Sequence, residues 1–222
     1  YLVEEEKHLF FTFGRMNPPT IGHGMLIDKL ASMSGRNPYR VYVSQTQDNK
    51  KNPLSYNEKV KFARKMFKKH ARYIMLNNKI KTVMDVGNAL YNEGFRNITM
   101  IVGDDRVNEF KSLLNQYNGK KSRHGFYNFK ELNVVSAGAR DPDSDDVSGA
   151  SATKQRKAAT DNDFVKFSQG LPKDMGNKDA KALFNGVRKG MGLKEQTEFR
   201  NHLQLNSVSD IREKFVEGKV FN

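Results

Sequence analysis

The chain has no cysteine and no tryptophan. Without cysteine there is no disulfide framework, no thiolate zinc site and no Cys nucleophile, so other groups must carry any chemistry, and a reducing cytoplasm is the expected setting. Long apolar runs are lacking too. No stretch approaches the roughly 18 apolar residues that span a bilayer, and the mean hydropathy of -0.74 is that of a polar chain. No membrane association is therefore expected. The opening residues, Tyr1-Leu2-Val3-Glu4-Glu5-Glu6, show neither the basic-then-apolar pattern of a secretory signal nor an initiating methionine. This implies numbering that starts inside a longer or processed chain.

Positive charge is what the chain has in excess: 38 Lys and Arg against 25 Asp and Glu give a net charge of +13. Such an excess predicts affinity for polyanions, whether nucleic acid, an anionic surface or phosphate-rich small ligands. The basic residues are dispersed, so nucleic acid is not the favoured partner. Their densest run, Lys59, Lys61, Arg64, Lys65, Lys68 and Lys69, reads as a solvated helix face. A length of 222 residues fits one main domain with an appendage.

Hydrophobic periodicity alternates between strand and helix from residue 8 to residue 136. Strands are expected at His8 to Gly14, Tyr39 to Ser44, Arg72 to Leu76, Ile98 to Val102 and Leu132 to Val135. Helices are expected over 21 to 34, with Met25, Leu26, Leu30 and Met33 as the apolar positions, from the Ser55 cap with its Glu58 partner, over Val83 to Tyr91, and from Asp104 to Leu114. Such alternation implies a five-stranded, parallel, doubly wound α/β sheet. Ligands of such sheets bind beyond the carboxyl ends of the strands, which directs attention to the loops after Phe13, Ser44 and Val102. Beyond residue 160 only helices are expected, at Asp163 to Gln169, Asp179 to Lys189 and Val208 to Glu217.

Two loops carry the candidate chemistry. Gly14-Arg15-Met16-Asn17-Pro18-Pro19-Thr20-Ile21-Gly22-His23 follows the first strand and puts one imidazole at a helix N-terminus, a place that favours anions. Ser148-Gly149-Ala150-Ser151-Ala152-Thr153-Lys154-Gln155-Arg156 follows the last strand, with hydroxyls at a helix start and a guanidinium one turn on. The acidic run Asp141 to Asp146 lacks the spacing and glycine of a calcium loop and reads as a connector.

The first loop resembles the HxGH signature of nucleotidyltransferases in a Thr-x-Gly-His form, with Met16 in place of the usual Phe. The second resembles the Ile-Ser-(Ser/Thr)-Thr-x-x-Arg signature of the same superfamily, with Ala152 replacing a hydroxyl. Asn52-Pro53-Leu54-Ser55-Tyr56-Asn57-Glu58-Lys59 and Val102-Gly103-Asp104-Asp105-Arg106 are similar to segments of nicotinamide-mononucleotide adenylyltransferases. The resemblance covers residues 8 to 160. It implies a Rossmann-like nucleotidyltransferase domain at 1–160 with a helical extension at 161–222. The implied reaction passes AMP from ATP, with CTP as the alternative, to a phosphorylated small molecule, foremost nicotinamide mononucleotide, with Mg²⁺ bridging phosphate oxygens and no metal ligand from the protein.

By that resemblance His23, Thr20 and Arg156 are catalytic. Gly14, Arg15, Asn17, Gly22, Gly103, Asp104, Ser151, Thr153 and Lys154 join His23 and Arg156 in binding the nucleotide; Lys50 and Lys51, by their place in the loop after the second strand, and Asp105 are expected to meet the acceptor, with metal placement or helix capping the other readings of the Asp104–Asp105 pair. Phosphopantetheine adenylyl transfer, cytidylyl transfer, a class I aminoacyl-tRNA synthetase fragment and a non-catalytic nucleotide-binding scaffold are the competing readings. The amphipathic tail offers a docking surface for a protein partner or a second copy. It also resembles C-terminal segments of tailed-phage proteins, which implies a phage enzyme in a host cytoplasm.

Overall fold

A computed structural model of the chain describes residues 7–138 and 151–193. The acidic run at 141–146, Ser148 to Ala150, and the tail segments at 195–200 and 208–217 lie outside the described residues. Four strands, β1 (His8–Gly14), β2 (Tyr39–Val43), β3 (Asn97–Val102) and β4 (Glu131–Ser136), form one sheet in the order β2-β1-β3-β4. Every pairing is parallel. Seven helices are described: α1 (Ile21–Ser34), α2 (Tyr56–Met66), α3 (Val83–Asn92), α4 (Val107–Tyr117), α5 (Ala152–Thr160), α6 (Phe164–Gln169) and α7 (Asn177–Gly190).

The two-residue period of the strands divides the core. Val41, Val43 and Ile101 face one side with Ile27 and Leu30 of α1 and Val60, Phe62 and Ala63 of α2. Leu9, Phe11, Ile98, Met100 and Val102 face the other with α3 and α4. Helices on both faces make the sheet doubly wound, as the periodicity implies. The chain runs from β1 outward to β2 and then returns to the other side of β1 for β3, so the crevice above β1 and β3 is the switch point.

The expected strand at Arg72 to Leu76 is absent. Lys68–Tyr73 is a 3₁₀ turn, and Ile74 makes a single bridge to Val41. The buried His70 holds this turn: its Nε2 meets Asp28 Oδ1 at 2.7 Å and its Nδ1 meets the Tyr39 hydroxyl at 2.8 Å. Ile74 fills the core and its neighbour Met75 donates to the Val41 carbonyl at 2.9 Å, after which the chain leaves the sheet edge. On α1 the inward positions are Ile27 and Leu30, whereas Met25 and Met33 face solvent.

The helices beyond residue 160 are built into the first core. Phe167, Leu171, Leu183, Phe184 and Val187 pack in one cluster with Leu54, Phe62 and Phe67. Two backbone links reinforce this. The Ile21 amide donates to the Gly170 carbonyl at 3.0 Å, and Arg188 donates to the Ala159 carbonyl at 2.6 Å. No helix among the described residues is long and apolar enough to cross a membrane.

Candidate active site

A cleft of about 510 Å³ opens at the switch point. Gly14, Arg15 and Met16 from the end of β1, His23 and Leu26 from α1, and Lys51 and Asn52 from the loop after β2 form one part of its wall. Gly103, Asp105 and Arg106 after β3, and Ser151, Thr153 and Arg156 from the start of α5, form the rest.

The β1–α1 loop is rigid for reasons legible in its hydrogen bonds. The Asn17–Pro18 bond is cis. The buried Asn17 side chain donates to the Leu54 carbonyl at 3.2 Å and accepts from the Leu54 amide at 2.9 Å. That amide group joins two loops, and Asn17 itself lines the cleft. The Asn17 carbonyl in turn accepts from Arg156 Nη1 at 2.9 Å, tying the two signature loops together.

Thr20 caps α1, with His23 in the place a capping-box glutamate would occupy. The Thr20 amide donates to His23 Nδ1 at 3.1 Å, and the Thr20 hydroxyl lies 2.9 Å from the same nitrogen. An amide can only donate, so Nδ1 is the accepting nitrogen and the neutral ring carries its proton on Nε2. Thr20 is fully buried and does not line the cleft; its chemistry is exerted through His23. The first turn of α1 is also less available than the sequence implies. The Thr20 amide goes to His23, the Ile21 amide to Gly170, and the His23 amide to the Thr20 carbonyl. Beside this turn the imidazole of His23 and Arg15 line the cleft. Gly22 lies in that turn and does not line the cleft.

Ser151 caps α5, its hydroxyl accepting from the Lys154 amide at 3.2 Å. Arg156 donates to the Thr153 hydroxyl at 3.0 Å, and both residues line the cleft, while the exposed Lys154 side chain does not. Burial, and then the neighbouring Arg15, hold the Arg156 guanidinium below its ordinary pKa. Two cations facing one another around a cleft are relieved by a polyanion between them.

After β3, Asp105 lines the cleft but Asp104 does not. The Asp104 carboxylate is engaged by the Ser136 hydroxyl, which ties the loop to β4. Lys51 lines the cleft and the exposed Lys50 does not. Their loop is folded around Asp48, whose carboxylate gathers the amides of Lys50 at 2.9 Å and Lys51 at 2.6 Å and the Asn52 side chain at 2.5 Å. The Asn52 side chain first, then those amides, holds the Asp48 carboxyl well below the usual carboxylate range. Arg106, Asn52, Phe13 and Phe110 line the cleft without having been singled out as ligand groups. The Gly-Asp-Asp-Arg run was the available signal for Arg106; the aromatic pair had none.

A family model described as cytidylyltransferase-like matches residues 11–158. No curated protein matches the chain. Among solved structures, a Vibrio parahaemolyticus protein assigned as a nicotinate-nucleotide adenylyltransferase is similar at a TM-score of 0.50 and 14% identity, over 81% of this chain and 99% of that one. That likeness speaks for the fold. The nicotinic acid mononucleotide adenylyltransferase of Plasmodium falciparum, complexed with NaAD and with APC, aligns at TM-scores of 0.43 and 0.46 and identities of 12% and 13%, over 82% of this chain and 95% of that one. With the family match running from β1 to α5, more than half of its length, the chain belongs to the cytidylyltransferase-like family and is a nucleotidyltransferase.

Proposed function

We propose that the protein transfers AMP from ATP to nicotinamide mononucleotide, giving NAD and pyrophosphate. A phosphate oxygen of the acceptor attacks the α-phosphorus in line; the new O–P bond forms as the bond to the β-phosphate oxygen breaks, and pyrophosphate leaves with that electron pair. No covalent enzyme intermediate is needed, so the protein's work is positioning and charge neutralisation. The observation that carries this reading is the Thr20 amide on His23 Nδ1, which puts the neutral ring's proton on Nε2, in a residue lining a cleft that also holds Arg15 and Arg156.

In this scheme His23 Nε2–H donates to the phosphate oxygen on which charge develops. Thr153, Ser151 and Arg156 bind the β- and γ-phosphates, with Lys154 at the rim, and Arg15 adds charge from the opposite wall. Gly14 and Gly103 leave room for close approach, and Lys51 and Asp105 meet the acceptor. Asp105 is the one carboxylate lining the cleft among the described residues. That donor set suits a Mg²⁺ carried in on the triphosphate rather than one caged by the protein. When bound with the triphosphate, Mg²⁺ would supply positive charge that offsets the charge of the phosphates.

Nicotinamide mononucleotide is preferred as acceptor because Asn52 to Lys59 and Val102 to Arg106 resemble the corresponding adenylyltransferase segments. The name of the Vibrio protein adds nicotinate mononucleotide to the candidates. The test is pyrophosphate release with Mg²⁺ and either ATP or CTP. The acceptor panel holds nicotinamide and nicotinate mononucleotides, phosphopantetheine, glycerol 3-phosphate and flavin mononucleotide, with products identified by mass. NAD from ATP alone is expected; release with another acceptor or with CTP reassigns the substrate, and silence across the panel with nucleotide binding intact favours a scaffold.

A further inference from the structure

Lys59 does not belong to the solvated basic face that its sequence neighbours suggest. Its side chain is 0% exposed, in the middle of a core that includes Val60, Phe62 and Ala63. The ammonium donates to the Ser44 carbonyl at 2.5 Å and to the Thr46 carbonyl at 3.0 Å. Among the described residues no carboxylate pairs with it. A buried ammonium without a counter-charge is costly, and the two carbonyls it satisfies offset only part of that cost. A group that is unfavourable for stability calls for another purpose.

The two carbonyls identify that purpose. Both belong to the stem of the loop that leaves β2, and nine residues on from Ser44 the same loop re-enters the body at Pro53. At its two ends the loop is also held by the Ser44 amide, which donates to the Gly14 carbonyl at 2.9 Å, and by the Asn17 side chain on Leu54, whereas its remaining supports are local or point elsewhere. The Asp48 carboxylate organises the tip from within, and the Gln45 side chain donates to the Ile80 carbonyl at 2.8 Å, away from the cleft. From that tip Lys51 and Asn52 reach the cleft that Arg15 and Arg156 also line. We propose that Lys59 is a positioning residue for the acceptor side of the site: from beneath, it clamps the β2–α2 loop and sets where Lys51 and Asn52 stand against the incoming acceptor phosphate. The kinetic part of this inference rests on the proposed transferase reaction; the clamping part does not. Burial lowers the Lys59 pKa to about 8, so the clamp is charged at neutral pH.

The test replaces Lys59 by Met, which keeps length and removes charge and donors, and reads two things on the full chain. Hydrogen exchange of the Asp48, Lys50, Lys51 and Asn52 amides is expected to quicken, with the amides of α5 unchanged. In the Mg²⁺–ATP assay with nicotinamide mononucleotide, KM for the acceptor is expected to rise about five- to tenfold while KM for ATP and kcat change by less than about twofold. If Lys59→Met melts below the assay temperature, Lys59→Gln is measured in its place. Unchanged loop exchange overturns the proposal, and so does a rise of both KM values by the same factor. If the unsubstituted protein turns over no acceptor, the functional reading fails, and the exchange arm still decides whether Lys59 holds the loop.

Discussion

His23 and Lys59 show how contact with the backbone gives a side chain its role. For His23 it is the Thr20 amide on Nδ1, which stores the proton on Nε2 before any substrate arrives. His23→Ala should therefore lower kcat by about a hundredfold or more with a much smaller loss of ATP affinity; equal losses in turnover and in ATP binding, measured by calorimetry, would contradict the role. Arg156→Ala should act on the other term, weakening ATP binding by about tenfold with less effect on kcat, because a charge-assisted contact to a ground-state phosphate is lost. Lys59 supplies a pH signature. Its folded-state pKa of about 8 lies below the ordinary lysine value of 10.5. The unfolded chain thus binds this proton more tightly, and the penalty of burial is present below pH 8 and relieved as pH rises toward 10.5. Melting of the wild type and Lys59→Met in parallel should show the difference between them moving in favour of the wild type, by roughly 1–3 kcal/mol, across that window. A constant difference would mean that the ammonium is not buried in solution.

Helices and strands were legible where local chemistry and packing agree. The Ser55–Glu58 capping box is present at the start of α2, with the Ser55 amide donating to Glu58 Oε2 at 2.9 Å. The four strands of the sheet fall where alternation places them, and the segment Arg72 to Leu76 fails because strand-forming composition cannot report that His70 is pulled inward by Asp28 and Tyr39. Charge hides Lys59 in the sequence although its spacing is informative: 59, 62, 63 and 66 follow the helical inward stripe with Phe62, Ala63 and Met66. In the cleft, the residues that converge were readable as motif positions, whereas the diversion of Asn17 to Leu54 and of Asp104 to Ser136 depends on partners far along the chain. The N-cap of α5 gives a test at this scale. Ser151→Ala should cost about 1 kcal/mol of stability and, by loosening the turn that carries Thr153, raise KM for ATP more than KM for the acceptor. A variant with an unchanged melting temperature and unchanged KM for ATP would show that this cap does not order the site.

At the scale of the whole molecule, the helices after residue 160 complete the structure that holds the loops lining the cleft. Arg188 of α7 donates to the end of α5, the helix that carries Arg156, and Gly170 accepts from the start of α1, the helix that carries His23. Close approach is built in: a side chain at Gly190 would strike the Pro53 carbonyl just before α2. Leu183 and Val187 are fully buried against Leu54 and its neighbours. Cutting the chain after residue 172 removes α7, strips the cover from Leu54 and Phe62, and takes away the brace on α5. Loss of a cooperative melt and loss of ATP binding together are expected, well beyond the roughly 2–5 kcal/mol of a single Leu183→Ala cavity. The single substitution separates the two consequences, since it should lower the melting temperature while leaving KM for ATP nearly unchanged where the protein is folded. A chain cut at 172 that melts cooperatively at the original temperature and still binds ATP would show that α7 is an appendage, and that the phosphate-binding loops are held in place without it.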